Sequence, residues 1–257
     1  MERPKRLVLV VGGTGGVGRH VVRGLLREVG DGASPRWGVR VLSRNANRAR
    51  ELFAKTSDEA LQEVEVVEGD TASNKGLTEA TAGVDAIICA SGGSGLGSNS
   101  PKQVDFVGVG HLVAAATSSG VKTFVLVSSA GITQGMMGLS MNLFAGNYAK
   151  WKKRGEEVVR ESGLDYTIVR PTWLTDGDDS LNGVEVSQGD TVSVMKTRVN
   201  RSAVAEACCA SLSHRDLVGR VTFELIGVPT RRAEDHAVDW RDLFEGLNRA
   251  TPREISS

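Results

Sequence analysis

Leu7-Val8-Leu9-Val10-Val11-Gly12-Gly13-Thr14-Gly15-Gly16-Val17-Gly18 is the stretch that decides the fold. Its first five residues form an unbroken apolar run, the pattern of a strand buried on both faces of a parallel sheet. The glycines follow at once. Gly13, Gly15 and Gly18 satisfy G-x-G-x-x-G, and Gly12, Gly15 and Gly18 satisfy G-x-x-G-x-x-G. Glycine there permits a tight turn, close approach of backbone to a pyrophosphate, and close helix–strand packing. The helix opening near Gly16 would offer unpaired N–H groups and a partial positive charge to the phosphates. The spacing alone is a weak signal, since a turn without a ligand could read the same. Its place between a first strand and a first helix gives it weight.

Working outward, the run recurs at Val39–Leu42, Val64–Val67, Ala86–Cys89, Phe124–Val127 and Tyr166–Val169. Helical stretches separate these runs, over residues 16–29, 46–55, 75–80, 104–119 and 148–162, with Gly120 and Gly163 placed as helix C-caps. Repeated strand–helix alternation predicts right-handed βαβ units and an α/β, doubly wound parallel sheet of the Rossmann type. Residues 1–257 read as one domain, in which residues 171–257 contribute a substrate-side cap. Turn signals at Asp176-Gly177-Asp178-Asp179 and Gly189-Asp190 suggest a hairpin in that part. A helix over 201–212, a strand over 220–226 and a last helix over 240–248 follow. Gly92–Ser100, rich in Gly and Ser, reads as a mobile loop.

The second strand bears on the choice of dinucleotide. A site for NAD usually ends this strand in Asp or Glu, which accepts hydrogen bonds from the adenosine ribose. Here it ends Leu42-Ser43-Arg44-Asn45. Ser43 and Arg44 can receive a 2′-phosphate that a carboxylate would repel, so NADP(H) is expected ahead of NAD(H). The competing reading makes Arg44 a solvated loop charge, with Arg48 and Arg50 on the outer face of the next helix.

Composition narrows the field further. The 31 Lys and Arg balance 31 Asp and Glu, and aromatic residues make up 5% of the chain, so neither an electrostatic funnel nor a stacking platform for nucleic acid is present. Arg231-Arg232 is a small local basic patch. Cys89, Cys208 and Cys209 lack metal-ligand or disulfide spacing and read as small apolar packing residues. His20, His111, His214 and His236 are dispersed, so no metal site is expected. No run has the length of a membrane span. The first strand begins at Leu7, which leaves no room for a presequence in this numbering. That reading predicts the cytosol, or an organelle stroma or matrix if a presequence has been removed.

These residues resemble the atypical short-chain dehydrogenase/reductases, in the NmrA-like and chloroplast-import-component-like branch. The likeness rests on 11–18, Val41-Leu42-Ser43-Arg44, Gly69-Asp70, Val104-Asp105-Phe106-Val107-Gly108, 120–129, 162–171 and 199–205. It implies that Asp70 accepts from the adenine amino group, although Asp70 also reads as a plain turn residue. It implies that Ala90-Ser91-Gly92 pass close to the cofactor ribose and phosphates, and that Pro171-Thr172-Trp173 border the nicotinamide. Reductases of the family use a tyrosine and a lysine four residues later, with a serine after the fifth strand. The matching residues are Tyr148, Lys152 and Ser129, or Ser128 in its place. The spacing puts Tyr148 and Lys152 on one helix face, where the ammonium eases proton exchange at the phenol.

Other readings stay open. Lys150, Lys152 and Lys153 crowd this helix, so the spacing could arise by chance on a solvated face, and Lys152 could contact only the nicotinamide ribose. Met136, Met137, Leu139, Met141, Leu143 and Phe144 could line a substrate pocket or a partner surface, but read first as core. Two functions therefore compete: an NADPH-dependent oxidoreductase of a small carbonyl or enone substrate, and a non-catalytic NADP(H)-binding redox sensor or assembly protein that regulates a protein partner.

Overall fold

Strand and helix alternate as the periodicity predicts, and the alternation builds one mostly parallel sheet. The computed structural model describes residues 6–28, 37–55, 58–144, 146–177, 183–229 and 238–248. Arg231-Arg232, Asp178-Asp179 and His236 lie outside them. In chain order the elements begin with β1 Arg6–Val11, α1 Gly16–Arg27, β2 Trp37–Ser43, α2 Ala46–Ala54, β3 Glu65–Glu68, α3 Leu77–Thr81 and β4 Ala86–Cys89. A π-helical turn, Lys102–Gly108, leads directly into α4 Val109–Ser118. Next come β5 Thr123–Val127, α5 Gly135–Phe144, α6 Tyr148–Glu161, β6 Asp165–Pro171, β7 Trp173–Thr175, β8 Gly183–Ser187 and β9 Arg198–Asn200. The described part ends with α7 Arg201–Ser213, α8 Arg215–Val218, β10 Val221–Val228 and α9 Trp240–Glu245.

The sheet order is β3-β2-β1-β4-β5-β6-β10-β9-β7, with β8 paired to β10. From β3 to β6 and on to β10 the pairs are parallel. β1 shows why both faces are needed. Val8 and Val10 pack into one apolar cluster with α1 and α7, while Leu9 and Val11 enter a second cluster with α4 and α6. The chain turns back on itself between β1 and β4, and doubly wound sheets hold their ligands outside the carboxyl ends of the strands at such a reversal.

Among the described residues the expected hairpin does not form. β8 runs antiparallel to β10, and β7 pairs in parallel with β9. The reason lies in the turn at Asp190, which is buried and adopts a left-handed φ of 52°. Its carboxylate accepts from Gly131 N, Thr133 N and Thr133 Oγ1, so it fastens the loop after β5 instead of turning a hairpin. The Gly92–Ser100 segment also departs from a plain loop. Ser94 N and Gly95 N donate to the Asn99 carbonyl around a short 3₁₀ turn, Gly97–Asn99.

Candidate active site

Gly12 begins the site, at the end of β1. Its φ is +82°, and a Cβ placed there would meet Ser91 N at 2.8 Å. At Gly18 a Cβ would stand 2.1 Å from the Gly12 carbonyl oxygen. No side chain fits either place, so the turn stays a bare backbone cradle at the start of α1. Both glycines let the turn pack closely on β4 and α1, and Gly12 and Thr14 border an open cleft at the start of that helix, where a phosphate would lie. The residues therefore fit a dinucleotide.

A cleft of about 810 Å³ runs from this cradle across the ends of β2, β3 and β4. Gly12, Thr14, Ser43, Arg44, Asp70, Ser91 and Gly92 line it, all expected from the sequence. Arg19 and Arg48 line it too, and the sequence reading did not place them there. Arg48 is exposed on the side of α2 that borders the cleft, and Asn45 caps that helix by accepting from Arg48 N. Arg44 donates to the Asn99 side chain across the cleft mouth. Asp70 accepts from Ala72 N and so serves its own turn while lining the cleft. Another cation escaped notice. The Arg201 side chain covers Gly16, whose added Cβ would meet Arg201 Cδ at 2.7 Å, and Arg201 pairs with Asp176 at 2.6 Å.

Tyr148, Lys152, Ser128, Ser129 and Pro171–Trp173 do not line this cleft; they stand on α6, just after β5, at the end of β6 and at the start of β7. Lys152 does not belong to the solvated face of α6. Its relative exposure is 6%, whereas Lys150, Lys153 and Arg154 are exposed. Its Nζ donates to Asp105 Oδ1 at 3.0 Å and lies 5.4 Å from the Tyr148 ring centre. Burial alone would lower the Lys152 pKa, but Tyr148 and Asp105 outweigh it and hold the ammonium above its ordinary value. Asp105, 4% exposed, sits on the π-helical turn and also accepts from Gly93 N. Turns of this kind gather at functional sites.

One turn further along α6 stands Glu156, fully buried. Arg170 of β6 donates to it through Nε at 2.9 Å and Nη2 at 2.6 Å, and reaches Glu224 of β10 at 3.3 Å. Burial pushes the Glu156 carboxyl up, but Arg170 prevails and holds it below the ordinary value. At Glu224 burial prevails and the carboxyl is held above it. Ser128 is buried; its Oγ makes no hydrogen bond of standard geometry, yet lies close enough to Glu156 to help hold that carboxyl low. Ser129 is partly exposed and donates to the Ala130 carbonyl at 3.2 Å. Thr172 is buried in the sheet margin, while Trp173 is 56% exposed.

The apolar segment before Tyr148 is not core at the positions described. Leu139 and Leu143 of α5 are 66% and 74% exposed. The cysteines do behave as packing residues: all three are free, Cys89 and Cys208 are buried, and burial pushes the Cys208 thiol up to about 12. No His/Cys/Asp/Glu metal cluster occurs among the described residues, and none of their helices is long and apolar enough to cross a membrane.

Fold and cleft together define a dinucleotide-binding protein of the Rossmann type. The chain belongs to the NAD(P)H-binding family, which it matches over residues 12–215. It is 35% identical over 224 residues to the chloroplastic protein TIC 62 of Arabidopsis thaliana, covering 81% of this chain and 34% of that protein. The chain thus spans only about a third of that relative's length. Sanguinarine reductase of Eschscholzia californica is 30% identical over 145 residues, or 56% of this chain and 52% of that one. Among solved structures, a putative NAD-dependent epimerase/dehydratase from Bacillus halodurans superposes with a TM-score of 0.71 at 26% identity, covering 87% of this chain and 96% of its own.

Proposed function

We propose that the protein is an NADPH-dependent reductase of an apolar carbonyl or enone compound, with Tyr148 as the proton donor. The observation that carries this reading is the pair on α6: a partly exposed phenol, with a buried ammonium 5.4 Å from its ring centre and one helical turn away. Bound NADPH would supply a hydride, with its electron pair, to the substrate carbon and leave as NADP⁺. Tyr148 Oη gives its proton to the substrate oxygen and regains one from solvent. Lys152 keeps two N–H donors beyond its bond to Asp105. They suit the nicotinamide ribose. Ser129, at the end of β5, would hold the substrate oxygen by hydrogen bonding. Gly12 to Gly18 would cradle the pyrophosphate, and Ser43 and Arg44, with Arg48 nearby, would receive a 2′-phosphate.

Exposed apolar side chains support an apolar substrate. Leu139 and Leu143 share a face of α5 at a spacing of four residues, and the turn that follows leads straight to Tyr148. Trp173 follows β6, and Met195, 72% exposed, stands three residues before the strand that pairs with β7. The name of the Eschscholzia relative, sanguinarine reductase, supports a reductase activity. The same exposed α5 face suits a second reading, in which this surface holds a protein partner and NADP(H) occupancy regulates the contact. The chloroplastic TIC 62 relative favours an organelle stroma over the cytosol.

The test is turnover. Purified protein with NADPH should reduce members of a panel of aromatic and aliphatic carbonyls and enones. Tyr148→Phe should abolish that turnover while leaving NADPH affinity within about twofold, since the phenol moves a proton and contributes little to binding. Equal turnover by the variant would overturn the assignment. Cofactor binding with no reduction anywhere in the panel would favour the partner-regulating reading.

A further inference from the structure

We infer that Asp105 is a positioning residue for the Tyr148–Lys152 pair: its carboxylate fixes the Lys152 ammonium beneath the phenol and offsets its charge, so that Tyr148 stays protonated and acts as donor. This rests on the proposed reductase reading and adds to it the group that holds the ammonium in place.

The geometry is specific. A charge is costly to bury, and a lysine at 6% exposure needs a partner. It has one at 3.0 Å, and that partner is held in turn by Gly93 N. The backbone has been shaped for the contact. The π-helical turn carries Asp105, and Gly155 of α6 lets that turn approach so closely that a Cβ would lie 2.0 Å from the Asp105 carbonyl oxygen.

The charges around Lys152 make the argument electrostatic as well. The ionisable groups that act most strongly on Lys152 are Tyr148 on its own helix, Asp105 on the π-helical turn and Cys89 on β4. Burial pushes the Cys89 thiol up, so it carries no charge at neutral pH. Asp105 is then the one anion among them. A bare ammonium near a phenol favours the phenolate; an ammonium neutralised at 3.0 Å does so far less. A phenolate would accept a proton, as oxidation of an alcohol requires. A phenol can donate one, as reduction of a carbonyl requires.

The chain has two tyrosines, which permits a test without substrate or cofactor. Tyr166 is 1% exposed, and burial pushes its phenol up, so an ultraviolet tyrosinate titration has two phenols to separate. Tyr148→Phe identifies the signal. In Asp105→Asn the Tyr148 midpoint should fall by about one pH unit or more. The double variant D105N/K152M, which leaves no buried charge unpaired, should return it to the wild-type value or above. An unchanged midpoint in folded Asp105→Asn would overturn the proposal. If that variant does not fold, Lys152→Met compared with the double variant decides. A higher midpoint in Lys152→Met supports the carboxylate's influence on Tyr148, and equal midpoints overturn it. Failure here would remove the role of Asp105 and leave the reductase reading to the turnover panel.

Discussion

The carbonyl oxygen of Asp105 faces the Cα of Gly155 so closely that a methyl group on Gly155 would lie 2.0 Å away. The π-helical turn and α6 therefore meet through bare backbone, and the meeting point lies under the Lys152–Asp105 pair. Gly155→Ala should destabilise the protein by about 2 kcal/mol or more, despite alanine's better helix propensity, because overpacking at backbone cannot be relieved by a rotamer change. Urea unfolding measures it. A stabilised variant would contradict this packing.

Glu156 and Glu224 share Arg170 but not its effects. Glu156 takes the two short hydrogen bonds, and Glu224 the long one. A carboxyl held low contributes stability that is present above its unfolded pKa and lost as pH falls through its folded pKa. For Glu156 that loss lies below the ordinary value of 4.5. For Glu224, held high, the contribution is complete below 4.5 and is lost as pH rises through the folded value. Glu156→Gln should cost about 3 kcal/mol near neutral pH, with the cost shrinking in acid. Glu224→Gln should cost under about 1 kcal/mol. Thermal unfolding of both variants across pH checks the order, and equal costs would contradict it.

Asp190 joins the cap-side turn to the loop after β5 through three accepted hydrogen bonds. Asp190→Ala should cost about 2–3 kcal/mol, since bonds to a charged acceptor are lost and the left-handed φ loses a residue that tolerates it. It should also lower turnover more than NADPH affinity, because the loop it holds begins just past Ser129. An equal loss in both would place its effect on the whole fold.

Most of the doubly wound core was legible from residue pattern. Val8 to Val11 alternate between two buried faces, and Gly12 to Gly18 have one steric reading once a strand precedes and a helix follows them. Tyr148 and Lys152 were legible as a pair because four residues on a helix share a face. Asp105 was not: 47 residues separate it from Lys152, and nothing local marks a carboxylate as the partner of a remote lysine. Glu156, Arg170 and Glu224 escaped for the same reason. Arg48 read as an outer-face charge and Arg201 carried no site reading, because only the assembled sheet brings them to the cleft and the glycine turn. The hairpin was wrongly expected because Gly189-Asp190 does turn the chain, but the side chain of Asp190 is spent on another loop.

A cleft that holds NADPH through Arg44 is the condition on which the proposed chemistry depends. Dissociation constants for NADPH and NADH, measured by calorimetry on the wild type and on Arg44→Ala, test this directly. NADPH should bind about tenfold tighter than NADH or better, and Arg44→Ala should erase most of that preference while leaving NADH affinity nearly unchanged. Equal or tighter binding of NADH by the wild type, or a preference for NADPH that survives Arg44→Ala, would contradict it.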